Sequence, residues 1–306
     1  MEFGGLHMQY GIDVESYKRE KKQKRIINLG ENPIELIGIV LGGLLISRVV
    51  VYLNTGNVTG IAPFGLAYLL AVMEKRDVKK NIMVAFGVLL GYFSIFNYIN
   101  DGYANLIVIT LLVAYGFIVD KTNNTLKQFQ MYGIIIATYF LYGVLVSGYD
   151  LGVNITIAIM NTLIVIPINY VIGYGTKCVQ EIKTNYFFTA EEIISMGLLI
   201  CLIIAGIGDI NIIEISVRQI FAYGVVLFVA YIGGGTYGAA MGIAMGIAVG
   251  MSSGGGLLET IAFYGVAGLV SGIFKDTGKL FAFLSFLIMF FAISLYSRNL
   301  DVVSLM

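Results

Sequence analysis

Few residues of this chain could carry chemistry. The sequence has one histidine, His7, and two cysteines, Cys178 and Cys201. A zinc site needs several His or Cys ligands, and a Ser-His-Asp triad needs a histidine beside its nucleophile. His7 lies in a polar tail, whereas Cys178 falls in a predicted loop and Cys201 in an apolar run. These positions argue against a histidine-based metal site, a hydrolase triad and a disulfide framework.

Arg48 is the ionisable residue that lies inside a predicted membrane span. A charge within the hydrocarbon region is a candidate functional site by default. Arg48 is also about five residues from the outer end of its span, a distance from which a long side chain can snorkel to the interface. The sequence therefore leaves two readings open, an intramembrane functional residue or a snorkelling or ion-paired arginine.

The glycine-rich stretch 233–250 reads GGGTYGAAMGIAMGIAVG. Its glycines recur at every fourth position and would share one face of a helix: Gly234, Gly238, Gly242, Gly246 and Gly250. No lysine follows them, so a phosphate-binding loop is not indicated. A face of small residues allows close helix packing in lipid, and the expected partner is Leu257–Phe274, which carries Gly268 and Gly272. A lipid-facing glycine helix and a ligand lying on the groove are the alternatives.

The composition predicts an all-α, polytopic transmembrane bundle of about 10–11 spans. Hydrophobic residues make up 58% of the chain and charged residues 12%, and the net charge is zero, so nucleic acid is not an expected partner. The mean hydropathy is +0.86. Eleven apolar segments are candidate spans: Ile34–Leu53, Ile61–Met73, Ile82–Ile99, Ala104–Val119, Met131–Ser147, Leu151–Tyr174, Ile193–Gly208, Val217–Ile232, Gly235–Met251, Leu257–Phe274 and Leu280–Tyr296.

The distribution of basic residues predicts the topology. With the amino terminus in the cytoplasm, sixteen of the 19 Lys and Arg residues fall in inside segments and only Arg218 and Arg298 fall outside. The predicted organisation is a basic cytoplasmic tail (1–33), a transmembrane domain (34–297) and a short carboxyl-terminal segment (298–306). The segment Ile61–Met73 is short enough to be re-entrant or tilted, but the charge count favours a crossing. Pro167 is expected to kink its helix.

Several apolar stretches resemble one family. GLLISRVVVYL (43–53) with APFGLAYLLAV (62–72), TAEEIISMGLLI (189–200), AYIGGGTYGAAMGIAMGIAVG (230–250) and FYGVAGLVSGIFKDTGKL (263–280) are similar to the membrane region of stage II sporulation protein E. The matching stretches occur in the family's order and span most of residues 34–297. Each alone is weakly specific, because glycine-rich apolar sequence is common, but their order makes the set specific.

The resemblance implies a multi-spanning anchor in the cell membrane of an endospore-forming bacterium, located at the division septum. In the family this anchor precedes a manganese-dependent PP2C-type serine phosphatase, which acts on an anti-anti-sigma factor and so activates sigma F. The family also associates with the division protein FtsZ. The phosphatase aspartates have no counterparts in 1–306, so no catalytic residue and no cofactor is expected in this stretch. The expected partners within it are the lipid bilayer and, for self-association, a second copy.

The resemblance also implies a further apolar segment after the region matching 297–305, which would return the chain to the cytoplasm. The chain is therefore expected to be truncated or gene-split before a last span. The alternative function is a small-solute transporter or permease. Pro167, the glycine-rich helix and Arg48 would be consistent with such a protein. An internal repeat and charged residues at mid-membrane, which many transporters have, are not seen in the sequence.

Overall fold

The computed structural model describes residues 33–53, 59–73, 78–99, 102–118, 124–148, 150–181, 189–208, 210–212, 215–253 and 256–304. The chain divides into two compact units, 1–38 and 39–306. The described part of the first unit is 33–38, which forms the beginning of helix α1. Every contact discussed below lies within the second unit.

The described residues form eleven α-helices, one for each predicted apolar segment. Their bounds are α1 Pro33–Ser47, α2 Phe64–Met73, α3 Val78–Ser94, α4 Gly102–Ile118, α5 Asn124–Tyr142, α6 Leu151–Glu181, α7 Ala190–Ala205, α8 Val217–Gly233, α9 Gly235–Ser253, α10 Leu257–Ile273 and α11 Lys279–Ser304. A π-helical turn, Gly143–Ser147, continues α5, and short 3₁₀ turns occur at Phe96–Tyr98 and Phe274–Thr277. The predicted all-α fold class is confirmed.

Three stretches of the described helices are long and apolar enough to cross a membrane: Gln128–Val146, Leu151–Val179 and Leu257–Thr277. Shorter apolar helices accompany them, among them α2, α3 and α8. Many large apolar side chains on these helices are exposed, for example Leu145 and Phe228, as expected for surfaces that contact lipid. The chain is therefore a helical membrane bundle.

The first predicted span was drawn too long. Helix α1 ends at Ser47, and Val51–Leu53 forms strand β1, which pairs antiparallel with strand β2, Thr59–Ile61. Apolar periodicity cannot separate a short buried strand from a helix end, but the β-branched run 49–51 favours a strand. A second small hairpin pairs β3, Asn211–Ile212, with β4, Ile215–Ser216.

Helix α2 is the most deeply buried element. All ten of its residues are buried. At 1.5 Å per residue it is about 15 Å long, about half the thickness of a bilayer's hydrocarbon core. The Tyr92 hydroxyl on α3 donates to the Ala62 carbonyl just before α2 (2.6 Å), and the Tyr68 hydroxyl on α2 donates to the Ile39 carbonyl on α1 (2.8 Å). A half-length helix can lie at membrane depth when protein surrounds it on all sides.

Other helix ends also differ from the predicted ones, and three of them change how the sequence is interpreted. Helix α6 continues through Pro167 to Glu181, so Cys178 lies buried in a helix and not in a loop. Helix α7 begins earlier than predicted, because Thr189 and Glu192 form a capping box. Helix α11 continues beyond Tyr296 to Ser304.

Candidate functional site

The glycine face of α9 packs against α10 in an antiparallel register. Gly238 lies opposite Gly268, Gly242 lies opposite Tyr264 and Gly265, and Gly246 lies opposite Thr260 and Ile261. Each step of four residues along α9 is matched by a step of about four in the reverse direction along α10. Of all helix pairs in the described residues, these two have the most extensive contact.

The two backbones are close enough that no side chain fits between them. A Cβ atom added to Gly242 would lie 2.6 Å from the Tyr264 carbonyl carbon and 2.9 Å from the Gly265 Cα. One added to Gly246 would lie 2.6 Å from the Ile261 Cα, and real Cβ atoms essentially never come within 3.0 Å of such neighbours. The glycine row therefore allows van der Waals contact between two helix backbones, the interaction that stabilises helix pairs in lipid.

The ends of the row behave differently from its middle. Gly234 does not lie on the face of α9, as the sequence pattern suggested. It forms the junction between α8 and α9, where its φ of +87° favours glycine. It still contacts α10, because a Cβ on Gly272 would lie 2.6 Å from the Gly234 carbonyl oxygen. At the other end, Gly250 lies against Leu257 and Thr260.

Helix α8 completes a three-helix crossing at Gly238. A Cβ on Gly238 would meet the Ala230 Cβ at 2.6 Å, and one on Gly268 would meet the Val226 Cγ1 at 2.9 Å. Ala230 and Val226 are fully buried on α8. The structure thus brings together Gly238, Gly242, Gly246, Gly250, Gly268 and Gly272 at one interface.

Arg48 does not lie inside a helical span. Helix α1 ends at Ser47, and Arg48 follows in a turn in which its backbone N–H donates to the Leu45 carbonyl. The side chain is half-buried and extends to Gly208, whose added Cβ would lie 2.8 Å from Nη2. Its Nε is buried and has no hydrogen-bond partner among the described residues. The structure does not bring Arg48 to the glycine interface.

A second glycine contact joins α1 and α3. A Cβ on Gly87 would lie 2.6 Å from the Val40 carbonyl oxygen, and one on Gly91 would lie 2.5 Å from the Leu44 carbonyl oxygen. These glycines are four residues apart, the same spacing as in α9, and this spacing is the sequence signal for the contact.

A polar seam joins α4, α5 and α6. Asn154, Asn161 and Asn169 are all buried on α6. The Asn169 Nδ2 donates to the Tyr132 hydroxyl oxygen on α5 (2.8 Å), and the Tyr139 hydroxyl on α5 donates to Asn105 Oδ1 on α4. Spacings of seven and eight residues between the asparagines were the sequence signal for this buried face.

Arg218 is a further residue whose environment the sequence did not reveal. It was counted among the outside basic residues, but it is buried at the start of α8 and 6% exposed. Its Nη1 donates to the Ser252 hydroxyl oxygen at the end of α9 (3.1 Å). Nearby, Tyr223 on α8 stacks at 5.1 Å on Tyr264, which lies opposite Gly242.

Other candidates from the sequence contribute no cluster. Asp101, Asp209 and Glu214 lie outside the described residues. Asp150 is exposed. Within the described ranges, no group of three or more His, Cys, Asp or Glu residues is placed to hold a metal ion.

Comparison with protein families matches residues 10–305 to the family described as SpoIIE, N-terminal domain. The match covers nearly all of the 306 residues. No curated protein and no solved structure matches the chain.

Proposed function

Because the chain belongs to the SpoIIE N-terminal domain family, we propose that it is the membrane-anchoring and localisation domain of a stage II sporulation protein E-like phosphatase. The observation that carries the proposal is the family match over 10–305, on a chain that folds as apolar helices. In this proposal the domain holds the phosphatase at the polar septum, where dephosphorylation of the anti-anti-sigma factor activates sigma F. Contacts with that factor and with FtsZ belong to the cytoplasmic region of such a protein.

The glycine interface suits an anchor. Packing at Gly238, Gly242 and Gly246 brings α9 into backbone contact with α10 and needs no charged side chain at these positions. In this proposal the α8–α10 crossing is a rigid part of the anchor and binds neither substrate nor cofactor. Manganese belongs to the phosphatase domain that the family resemblance implies.

The localisation test is a fluorescent protein fused to the amino terminus of 1–306 in a sporulating endospore former. The fusion is expected to resist alkaline extraction from membranes and to concentrate at the polar septum. An even distribution around the membrane would reject the septal role and retain the anchor. Release into the soluble fraction would reject the anchor as well. A fluorescent protein alone is the control.

The proposed topology alternates across the membrane eleven times, and contacts between connecting segments support it. Gly60 forms a β-bridge with Ile99, and Gly208 lies beside Arg48; each pair joins segments that the alternation assigns to the outside. Gly234 and Lys275, both assigned to the inside, also lie together. The Gly60–Ile99 bridge fits a path that enters the membrane after Gly60 and returns before Ile99.

Reporter fusions test this topology. A reporter placed after Lys80 or Lys183 is expected to read cytoplasmic, and one placed after Asp150 or Ser253 is expected to read external. A cytoplasmic signal after Asp150 would reject the alternation. An external signal after Lys80 alone would show that neither 61–73 nor 78–99 crosses the membrane.

The assignment of catalysis to another region has its own test. Purified 1–306 in detergent is expected to release no phosphate from a phosphoserine peptide in the presence of manganese. Turnover above the detergent blank would contradict the proposal that this domain is an anchor only.

A further inference from the structure

We propose that Arg218, Lys275 and Arg48 each cap the carboxyl end of a helix to which they do not belong, and so fix the axial register of α9, α8 and α7. A helix ends in carbonyl groups without intrahelical partners and in a partial negative charge of about half an elementary charge. A basic residue in the last turn commonly compensates that charge. The last turns of α7, α8 and α9 contain none.

The carboxyl end of α9 receives Arg218. This residue is 6% exposed, and its Nη1 donates to the Ser252 hydroxyl oxygen at 3.1 Å, one residue before the helix ends. The Ser252 hydroxyl in turn donates to the Val249 carbonyl in the last turn (3.0 Å). The guanidinium is thus connected through Ser252 to the end of α9. Arg218 itself lies in the first turn of α8, where a helix dipole disfavours a cation, so its own helix does not explain its position.

The carboxyl end of α8 receives Lys275. Gly234 is the cap residue that follows α8, and a Cβ added there would lie 3.3 Å from the Lys275 Nζ. Lys275 comes from the 3₁₀ turn that follows α10, two helices further along the chain. The ammonium group therefore lies at the junction between α8 and α9.

The carboxyl end of α7 receives Arg48. Gly206 is the cap residue that follows α7, and an added Cβ on Gly208, two residues on, would lie 2.8 Å from the Arg48 Nη2. Arg48 also directly follows the last residue of α1. The guanidinium therefore lies at the end of α7, while the backbone of Arg48 directly follows α1.

The same arrangement at three helix ends has a consequence for register. A shift of one helix by a single turn, about 5.4 Å, would remove the cation from the end it compensates. The buried Arg218 would then lose the Ser252 hydroxyl oxygen to which it donates. Glycine packing holds α9 and α10 close together but permits sliding along the face, and the cations oppose that sliding.

The test removes the positive charge of Arg218 on α8 and adds a positive charge at the carboxyl end of α9. Arg218→Gln in the purified 306-residue chain is expected to lower the Tm by about 2–4 °C. Adding Ser253→Lys, at the exposed last residue of α9, is expected to restore at least half of that loss. Thr236→Lys, exposed in the first turn of the same helix, is the matched control and is expected to restore nothing.

Rescue by Ser253→Lys alone supports capping, whereas equal rescue by Thr236→Lys, or none from either, overturns it. If Arg218→Gln does not fold, Lys275→Gln replaces it, with exposed Lys279→Gln as its control. Lys275→Gln is expected to lower the Tm. Lys275→Arg, which keeps the positive charge, is expected to leave the Tm close to that of the unaltered chain. Equal Tm values for Lys275→Gln and Lys279→Gln would overturn the proposal.

Discussion

The α9–α10 pair and the α5–α6 pair are both antiparallel neighbours, but different groups hold them together. In the first, Gly242 lies against the backbone of Tyr264 and Gly265, and the three atoms nearest to an added Cβ are all backbone atoms. In the second, side chains meet: Asn169 binds Tyr132, and Asn154 occupies the space that Gly143 leaves at the start of the π-helical turn. The α9–α10 interface depends on glycines that have no side chain, and the α5–α6 interface depends on hydrogen bonds between side chains.

The difference predicts how each interface responds to mutation. Any added atom disrupts a backbone contact, because backbone atoms cannot rotate away. A hydrogen-bonded contact tolerates a change of volume but responds to the loss of one partner, which leaves a buried polar group unsatisfied. The mutations below are ordered by the size of the effect that this difference predicts.

Gly242→Ala is expected to have the largest effect. Helix propensity alone would stabilise the variant by about 1 kcal/mol. The added Cβ would lie 2.6 Å from the Tyr264 carbonyl carbon, and overpacking of this kind typically costs about 1–3 kcal/mol, so the Tm should fall. Gly224→Ala, on an exposed face of α8 with nothing within 4 Å, is the control and should not lower it. A higher Tm for Gly242→Ala would show that the helices do not pack at this position.

Crosslinking tests the same contact directly. An added Cβ on Gly250 would lie 3.3 Å from the Thr260 Cβ, close to the separation that a disulfide requires. In a background without Cys178 and Cys201, cysteines at 250 and 260 should therefore crosslink. Gly242→Leu should abolish the crosslink, and Gly224→Leu should retain it. Retention in both variants would contradict close packing at Gly242.

Gly87→Ala is expected to have an effect of the same sign and smaller size. Its Cβ would lie 2.6 Å from the Val40 carbonyl oxygen and 3.0 Å from the Val40 Cγ1, so one backbone atom and one movable methyl group are involved. A net loss of about 1 kcal/mol is expected from thermal unfolding. Gly133→Ala, with nothing within 4 Å, serves as control. Equal stabilities of the two variants would show that α1 and α3 can separate without cost.

The two interfaces also differ in how far the sequence predicts them. The spacing of Gly238, Gly242 and Gly246 predicts a backbone contact, since small residues four apart have few other uses in a membrane helix. Polar contacts are harder to predict, because the chain has 20 tyrosines and sequence alone does not show which of them are buried. The burial and hydrogen bonding of Tyr132 and Tyr139 depend on how α4, α5 and α6 pack together, which the sequence does not show.

Helix ends were predicted less well than helix number, and the reasons are local. VVVYL (49–53) is as apolar as the span before it, so hydropathy alone extends the helix, although β-branched residues favour the strand that forms. The Thr189–Glu192 capping box was readable as a helix start. The burial of Arg218 was not, because it depends on Ser252, 34 residues away.

The smallest effect is expected in the polar seam, and its sign is informative. Asn169 is 4% exposed; its Nδ2 donates to Tyr132, while its Oδ1 is buried with no hydrogen-bond partner among the described residues. Tyr132→Phe would leave the Asn169 amide without the bond that satisfies it, and should cost about 0.6 kcal/mol, the average for interhelical hydrogen bonds in membranes. Asn169→Leu removes the buried amide together with its unsatisfied oxygen and should be close to neutral.

The double variant Tyr132→Phe/Asn169→Leu distinguishes a hydrogen bond from simple packing. Interhelical hydrogen bonds in membranes have coupling energies that average about 0.6 kcal/mol, so the double variant should be more stable than Tyr132→Phe alone by at least that amount. The measurement is thermal unfolding of the four members of the cycle in one detergent. If the two single effects simply add, Tyr132 and Asn169 contribute independently. The α5–α6 interface would then be held by shape, as the α9–α10 interface is, and the contrast between the two pairs would not stand.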